Sequence, residues 1–134
     1  MDERQDATEI LSESECWELL DHAAVGRLAV DIAGQPDIFP INFVVDKRGI
    51  VFRSAAGTKL AGAVLNRLVA FEIDGYEPGD RSAWSVVVKG HGREPSTLDE
   101  LVGLDDLGVE PWVDASKSRW LAITPREITG RRVP

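Results

Sequence analysis

The sequence predicts a mostly β protein whose strands close into a small barrel accompanied by a few short helices. Two observations carry this. Six or seven stretches alternate apolar and polar residues or run apolar at strand length, with Gly, Pro and Asp turns between them, and only three short stretches carry helix caps. The strands read as mostly antiparallel and bury one or both faces, the situation in which a small sheet closes on itself. At 134 residues, 43% hydrophobic and 28% charged, the chain has material for one core. It is read as a single domain, 1–134, with residues 1–9 as a flexible acidic tail.

Ser12-Glu13-Ser14-Glu15 has the form of a capping box and opens a helix from about Ser14 to His22, with Trp17, Leu19 and Leu20 on its apolar face. A strand begins at Gly26, where Leu28, Val30 and Ile32 alternate with Arg27, Ala29 and Asp31. Gly34-Gln35-Pro36 is the turn to the next strand, though not one of the tightest kind. Ile38 to Val45 is β-branched and aromatic. Pro40 inside it lacks a ladder donor and demands an edge, a bulge or a break. A polar turn, 46–49, leads to the strand Gly49–Ser54, so that Gly26 to Ser54 reads as three consecutive antiparallel strands. Thr58 to Asn66 is a crossover helix with Leu60, Val64 and Leu65 inward. Leu68 to Asp74 is a strand, Tyr76 to Ser82 a loop, and Trp84 to Gly92 a strand around Val86-Val87-Val88 that is buried on both faces. Ser96-Thr97-Leu98-Asp99 opens a third helix to about Leu104. Residues 108–116 are irregular. Ser118 to Ile123 is a strand that Arg126 to Gly130 continues or pairs with.

A formal net charge of −8 speaks against general affinity for nucleic acid, whose phosphates demand a basic face. It leaves room for one focused anion site. No apolar run is long enough to cross a bilayer, and the N-terminus has neither a signal-peptide nor a transit-peptide character. No membrane association is expected, and the expected compartment is the cytoplasm. Cys16, the only cysteine, excludes an intrachain disulfide and a thiolate zinc site, and is read as a small buried residue. His22 and His91 lack partner ligands and read as surface or capping residues, so no metal site is expected. The acidic run from Asp99 to Asp106 reads as a solvated helix face. Trp17, Trp112 and Trp120 read as core or interface residues. No nucleophile–base arrangement stands out.

The most informative stretch is Phe52-Arg53-Ser54-Ala55-Ala56-Gly57-Thr58-Lys59-Leu60. A strand ends in Arg-Ser, a turn of small residues follows, and Thr-Lys opens a helix. Two hydroxyls, two cations and the N–H groups of a helix start suit a phosphate dianion. A plain strand–turn–helix capped by Thr58 accounts for the same residues. Asn42, inside an apolar strand, needs hydrogen-bond partners from a ligand or from neighbouring backbone.

Five patterns in order, Gly26-Arg27-Leu28-Ala29, Pro40-Ile41-Asn42-Phe43, Phe52-Arg53-Ser54 with Gly57-Thr58-Lys59-Leu60, Val69-Ala70-Phe71-Glu72, and Trp84-Ser85-Val86-Val87-Val88-Lys89-Gly90, resemble the pyridoxamine 5′-phosphate oxidase-like family. The resemblance runs from Ile10 to about Arg132 and implies the FMN-binding split β-barrel. It implies a homodimer with the cofactor at the subunit interface and a flavin- or deazaflavin-dependent oxidoreductase acting on a small molecule. Arg53, Ser54, Thr58 and Lys59 would hold the phosphate. Pro40, Ile41 and Asn42 would run along the flavin ring, their backbone meeting its polar edge. Trp84 and Ser85 would reach the cofactor, often from the partner chain. FMN is the cofactor expected first, the deazaflavin coenzyme is the alternative, and haem comes after both. A longer deazaflavin tail would want further cations, for which Lys89, Arg93, Arg131 and Arg132 are candidates. A non-catalytic flavin, deazaflavin or haem carrier would use the same site. The longer oxidases carry a C-terminal segment with Arg and His that grips pyridoxal phosphate, whereas this sequence has Arg131-Arg132-Val133-Pro134 and no histidine there, which counts against vitamin B6 oxidation. It carries Arg53-Ser54 where nitroimidazole-reducing relatives place a histidine.

Overall fold

The computed structural model describes residues 8–47, 49–55, 58–95 and 118–133. In chain order the elements are β1 (Glu9–Ile10), α1 (Glu13–His22), β2 (Val25–Ile32), β3 (Gln35–Asn42), β4 (Val44–Asp46), β5 (Gly49–Ala55), α2 (Lys59–Val64), β6 (Leu68–Glu77), β7 (Ser82–Arg93) and β8 (Ser118–Val133). The mostly β architecture expected from the sequence is the one the chain adopts. The predicted third helix from Ser96, the irregular stretch 108–116 and Trp112 lie outside the described residues.

The eight strands among the described residues form one antiparallel sheet in the order β3-β2-β6-β7-β8-β5-β4, with β1 added against β8. β3 and β4 stand at the two ends of this order, yet the single residue Phe43 joins them. Consecutive Cα atoms are about 3.8 Å apart, so the ends of the sheet meet at Phe43 and the sheet must curl. Its concave side is filled by Leu28, Ile50, Phe52, Phe71, Ile73, Val86, Val88, Leu121 and Ile123, all 0–1% exposed. The Phe43 ring meets Phe71 edge-on, with centroids 4.8 Å apart. Gly26 faces the same ring, and any side chain there would collide with Phe71.

The capping box forms as predicted. The Ser12 hydroxyl accepts from the Glu15 amide, and the Glu15 carboxylate accepts from the Ser12 amide, each at 3.1 Å. The resulting helix α1 packs against β8, β4 and β7 and buries Cys16, Trp17 and Leu20. His22 closes it by donating Nδ1–H to the Glu18 carbonyl at 2.8 Å.

The structure alters one turn and decides two readings that the sequence left open. The β2–β3 connection is a two-residue turn at Ala33 and Gly34, with φ of 52° and 83°, and Ile32 pairs directly with Gln35. This is the tightest hairpin, and it takes an alanine into the left-handed region where glycine or asparagine is usual. β3 is an end strand, one of the accommodations expected for Pro40, so the proline does not interrupt it. The break falls three residues later, at Phe43. β8 is one strand of 16 residues. Pro125 is accommodated opposite Gly90, where the β7–β8 register shifts between Lys89 and Gly90.

Among the described residues no helix is long and apolar enough to cross a membrane, and no cluster of His, Cys, Asp or Glu is placed to hold a metal ion.

Candidate functional site

The β5–α2 corner is built around a hydroxyl pair. Ser54, near the end of β5, is buried at 6% exposure. Its Oγ lies 3.1 Å from Thr58 Oγ1. Thr58 has the extended backbone of an N-cap residue, and its hydroxyl also accepts from the Ala61 amide at 3.3 Å. The capping role and the predicted convergence of Ser54 with Thr58 are therefore both realised. Helix α2 has only six residues, three fewer than the sequence suggested, because Leu65 turns to extended backbone. So short a helix has little macrodipole, and an anion here would depend on side chains. Lys59, next to Thr58, is exposed.

Arg53 faces the other way. Successive side chains on a strand point to opposite faces, so Ser54 turns toward the core and Arg53 toward the outer face. There its guanidinium lies 5.0 Å from the centroid of the Trp120 ring, on the residue directly opposite it in β8. The alternation also puts Val51, Ala122 and Val44 on this side, and they form a small apolar cluster with Trp120.

The three β3 residues divide in the same manner. Ile41 is 7% exposed and belongs to the core. Pro40 is exposed, Asn42 is half-buried, and both look outward. Since β3 is an end strand beside β5, one row of its backbone groups points away from β2, as a ligand lying along the strand would require. Arg53 and Asn42 thus share the outer face at the seam where the sheet curls shut.

Trp84 and Ser85 lie elsewhere, on β7, opposite Gly75 and Asp74 of β6 and opposite Arg132 and Arg131 of β8. They line a cavity of about 360 Å3 with Glu72, Asp74, Tyr76 and Arg131. Between this cavity and Pro40 stands an ion-pair cluster that the sequence reading missed. Arg27 donates Nε–H to Glu72 at 2.8 Å, and its terminal nitrogen reaches Glu72 at 2.7 Å and Asp74 at 3.0 Å. Partial burial pushes the Glu72 carboxyl above its usual range. Arg27 opposes that rise, and the neighbouring Asp74 carboxylate adds to it. Arg27 and Glu72 both sit in patterns singled out from the sequence, but only the pairing of β2 with β6 brings them together. Of the nine predicted contact residues, Ile41 lies in the core and the other eight occupy three places: the hydroxyl corner, the β3–β5 seam and the β6–β8 cavity.

The family model described as pyridoxamine 5′-phosphate oxidase matches residues 12–132. The chain belongs to the pyridoxamine 5′-phosphate oxidase family. Among solved structures that resemble it is the FAD binding protein from Mycobacterium smegmatis, at 40% identity over 92% of this chain and 98% of that one, with a TM-score of 0.82. A FAD-binding protein from Mesorhizobium loti is 26% identical over 95% of this chain and 99% of that one, with a TM-score of 0.78. An uncharacterised protein of Mycobacterium tuberculosis is 32% identical over 136 residues, 96% of this chain and 89% of its own length. The match to the pyridoxamine 5′-phosphate oxidase family spans every element from α1 to the last residues of β8.

Proposed function

We propose that the protein is a flavin-dependent oxidoreductase that works as a homodimer and acts on a small molecule. The observation that carries the reading is the Ser54–Thr58 hydroxyl pair with Lys59 beside it, in a chain 40% identical to an FAD-binding protein. Hydroxyls joined at a strand end, next to an exposed ammonium, fit a phosphate oxygen. Arg53 adds a guanidinium on the outer face, on the side of Pro40 and Asn42. The residues present thus fit a ligand with its phosphate at the β5–α2 corner and its ring along β3. FMN, FAD and the deazaflavin coenzyme all carry such a phosphate, and the names of both FAD-binding relatives favour FAD as the first to test.

A bound flavin supplies hydride or electron transfer; the protein binds it, orients it and shapes the pocket for the second reactant. The half-exposed Arg53 stacks on Trp120, which limits its rotamers and presents the charge in one place. Val25, Ile38 and Leu68 are 41%, 64% and 56% exposed. Strand alternation sets them on the outer face with Ala29 and Ala70 between them, an apolar strip that supports the homodimer reading.

The test is a titration with FMN, FAD and the deazaflavin, following cofactor fluorescence, on the wild type and on Arg53→Ala/Lys59→Ala. One flavin should bind, with affinity falling by about tenfold or more in the double variant, as expected for charge-assisted hydrogen bonds. Light scattering of the same samples should give twice the chain mass. Absence of binding by all three, or a haem Soret band in their place, would overturn the reading.

A further inference from the structure

The β6–β8 cavity is built with opposite charge on opposite walls. Glu72 and Asp74 stand on β6 and Arg131 on β8, with Ser85 of β7 directly opposite both Asp74 and Arg131. Two strand spacings, about 10 Å, separate the walls. Arg27 bridges both carboxylates but carries only one charge, so the β6 wall keeps a net negative charge of one. Among the described residues Arg131 forms no ion pair. One wall is flanked by an aromatic ring. Tyr76, 61% exposed, shares by strand alternation the face of Glu72 and Asp74 and stands at the side, whereas the Trp84 indole lies over Gly75 on the core face. At about 360 Å3 the space lies at the small end of ligand pockets, which run from about 300 to 1,000 Å3. It is large enough for a single substituted ring.

We propose that this cavity binds a dipolar aromatic molecule. Its cationic or N–H-donating edge would meet Glu72 and Asp74, its ring would lie against Tyr76, and its acidic group would pair with Arg131. Each wall selects one end of the ligand, and the distance between walls selects its length. A monopolar ring satisfies one wall and leaves the other charge solvated. As the site of the reducible or oxidisable substrate the cavity rests on the flavin reading above; as a ligand site it stands on its own geometry. Burial first, and the Asp74 carboxylate after it, raise the Glu72 carboxyl, and an incoming cation would oppose both.

The experiment is calorimetric titration of the full chain, with and without saturating FAD, using para-aminomethylbenzoate, benzylamine and benzoate as probes. The dipolar probe should bind about fivefold or more tightly than either half-molecule, the scale of one partly solvated ion pair. Arg131→Ala should bring it to the level of benzylamine and leave benzylamine unchanged. Asp74→Asn should bring it to the level of benzoate. Arg131 is exposed and Asp74→Asn is isosteric, so neither change threatens folding. Equal binding of the three probes, indifference to Arg131→Ala, or displacement of the probe by FAD would overturn the proposal. FAD bound with no probe bound removes the cavity site and leaves the flavin reading intact. Probe bound with no flavin bound supports the cavity and removes the flavin reading.

Discussion

Gly92 of β7 and Val64 at the end of α2 meet backbone against side of strand, so closely that a Cβ on Gly92 would run into the Val64 carbonyl. Two hydrogen bonds fix the contact: Gly92 donates to the Arg67 carbonyl and accepts from the Asn66 amide, each at 3.0 Å. Because α2 is short, this clamp at its end also sets where Thr58 and Lys59 stand at its start. Gly92→Ala should destabilise the fold by about 1–3 kcal/mol, the usual cost of overpacking, and should weaken flavin binding as well. Denaturant unfolding and flavin titration on the same variant check both; a stable variant that binds normally would show that the clamp is dispensable.

Thr58 carries two duties that substitution separates. Thr58→Ala removes the N-cap acceptor, at a cost of about 1 kcal/mol, and the partner of Ser54. Thr58→Ser keeps both. The expectation is a lower melting temperature and weaker flavin binding for the alanine variant, and near-wild-type values for serine. Equal flavin affinity in all three would remove Thr58 from the site and leave it as a cap alone.

Glu72 gives stability a pH dependence of definite sign. Its carboxyl is raised in the folded protein, first by burial, so above the ordinary carboxylate range the folded state binds more protons at this position than the unfolded state. By linkage its contribution falls as pH rises from the unfolded value through the folded one. Glu72→Gln should flatten that part of the stability profile. Chemical denaturation at a series of pH values, wild type against variant, would expose a wrong assignment as two parallel curves.

Cys16 is fully buried. Its thiol is pushed up by burial, and the acidic neighbours Glu15 and Glu13 push it further. Its sulfur packs on Gly130, where an added Cβ would lie 2.6 Å from Sγ. A thiol reagent such as Ellman's should therefore react only as the chain unfolds, with labelling and unfolding sharing one denaturant midpoint. Fast labelling of the native protein would contradict the placement.

The strands were legible because alternation and β-branched runs report burial directly, as in Leu28, Val30 and Ile32. The Ser54–Thr58 contact was legible because four residues across one turn leave few other places to go. The rest depended on pairing across the chain. Arg27 and Glu72 are 45 positions apart, and no local pattern announces that they touch. The β2–β3 turn was misjudged because Ala33 adopts a conformation that its side chain disfavours. Whether Arg126 to Gly130 continues the strand from Ser118 or pairs with it stayed open in the sequence; the register shift at Gly90 lets Pro125 sit within one continuous strand.

Strand β8 pairs with β1, β5 and β7, and it follows all three in the chain. Until it is made, β5 and β7 have neighbours on one side only. During synthesis the earlier strands therefore emerge as a half-assembled sheet whose unpaired edges are open to another chain. Closure waits on contacts distant in sequence, which makes for slow folding. Substitutions that weaken β8, at Leu121 or Ile123 for instance, should reduce yield through aggregation of nascent chains more than the loss of equilibrium stability would suggest.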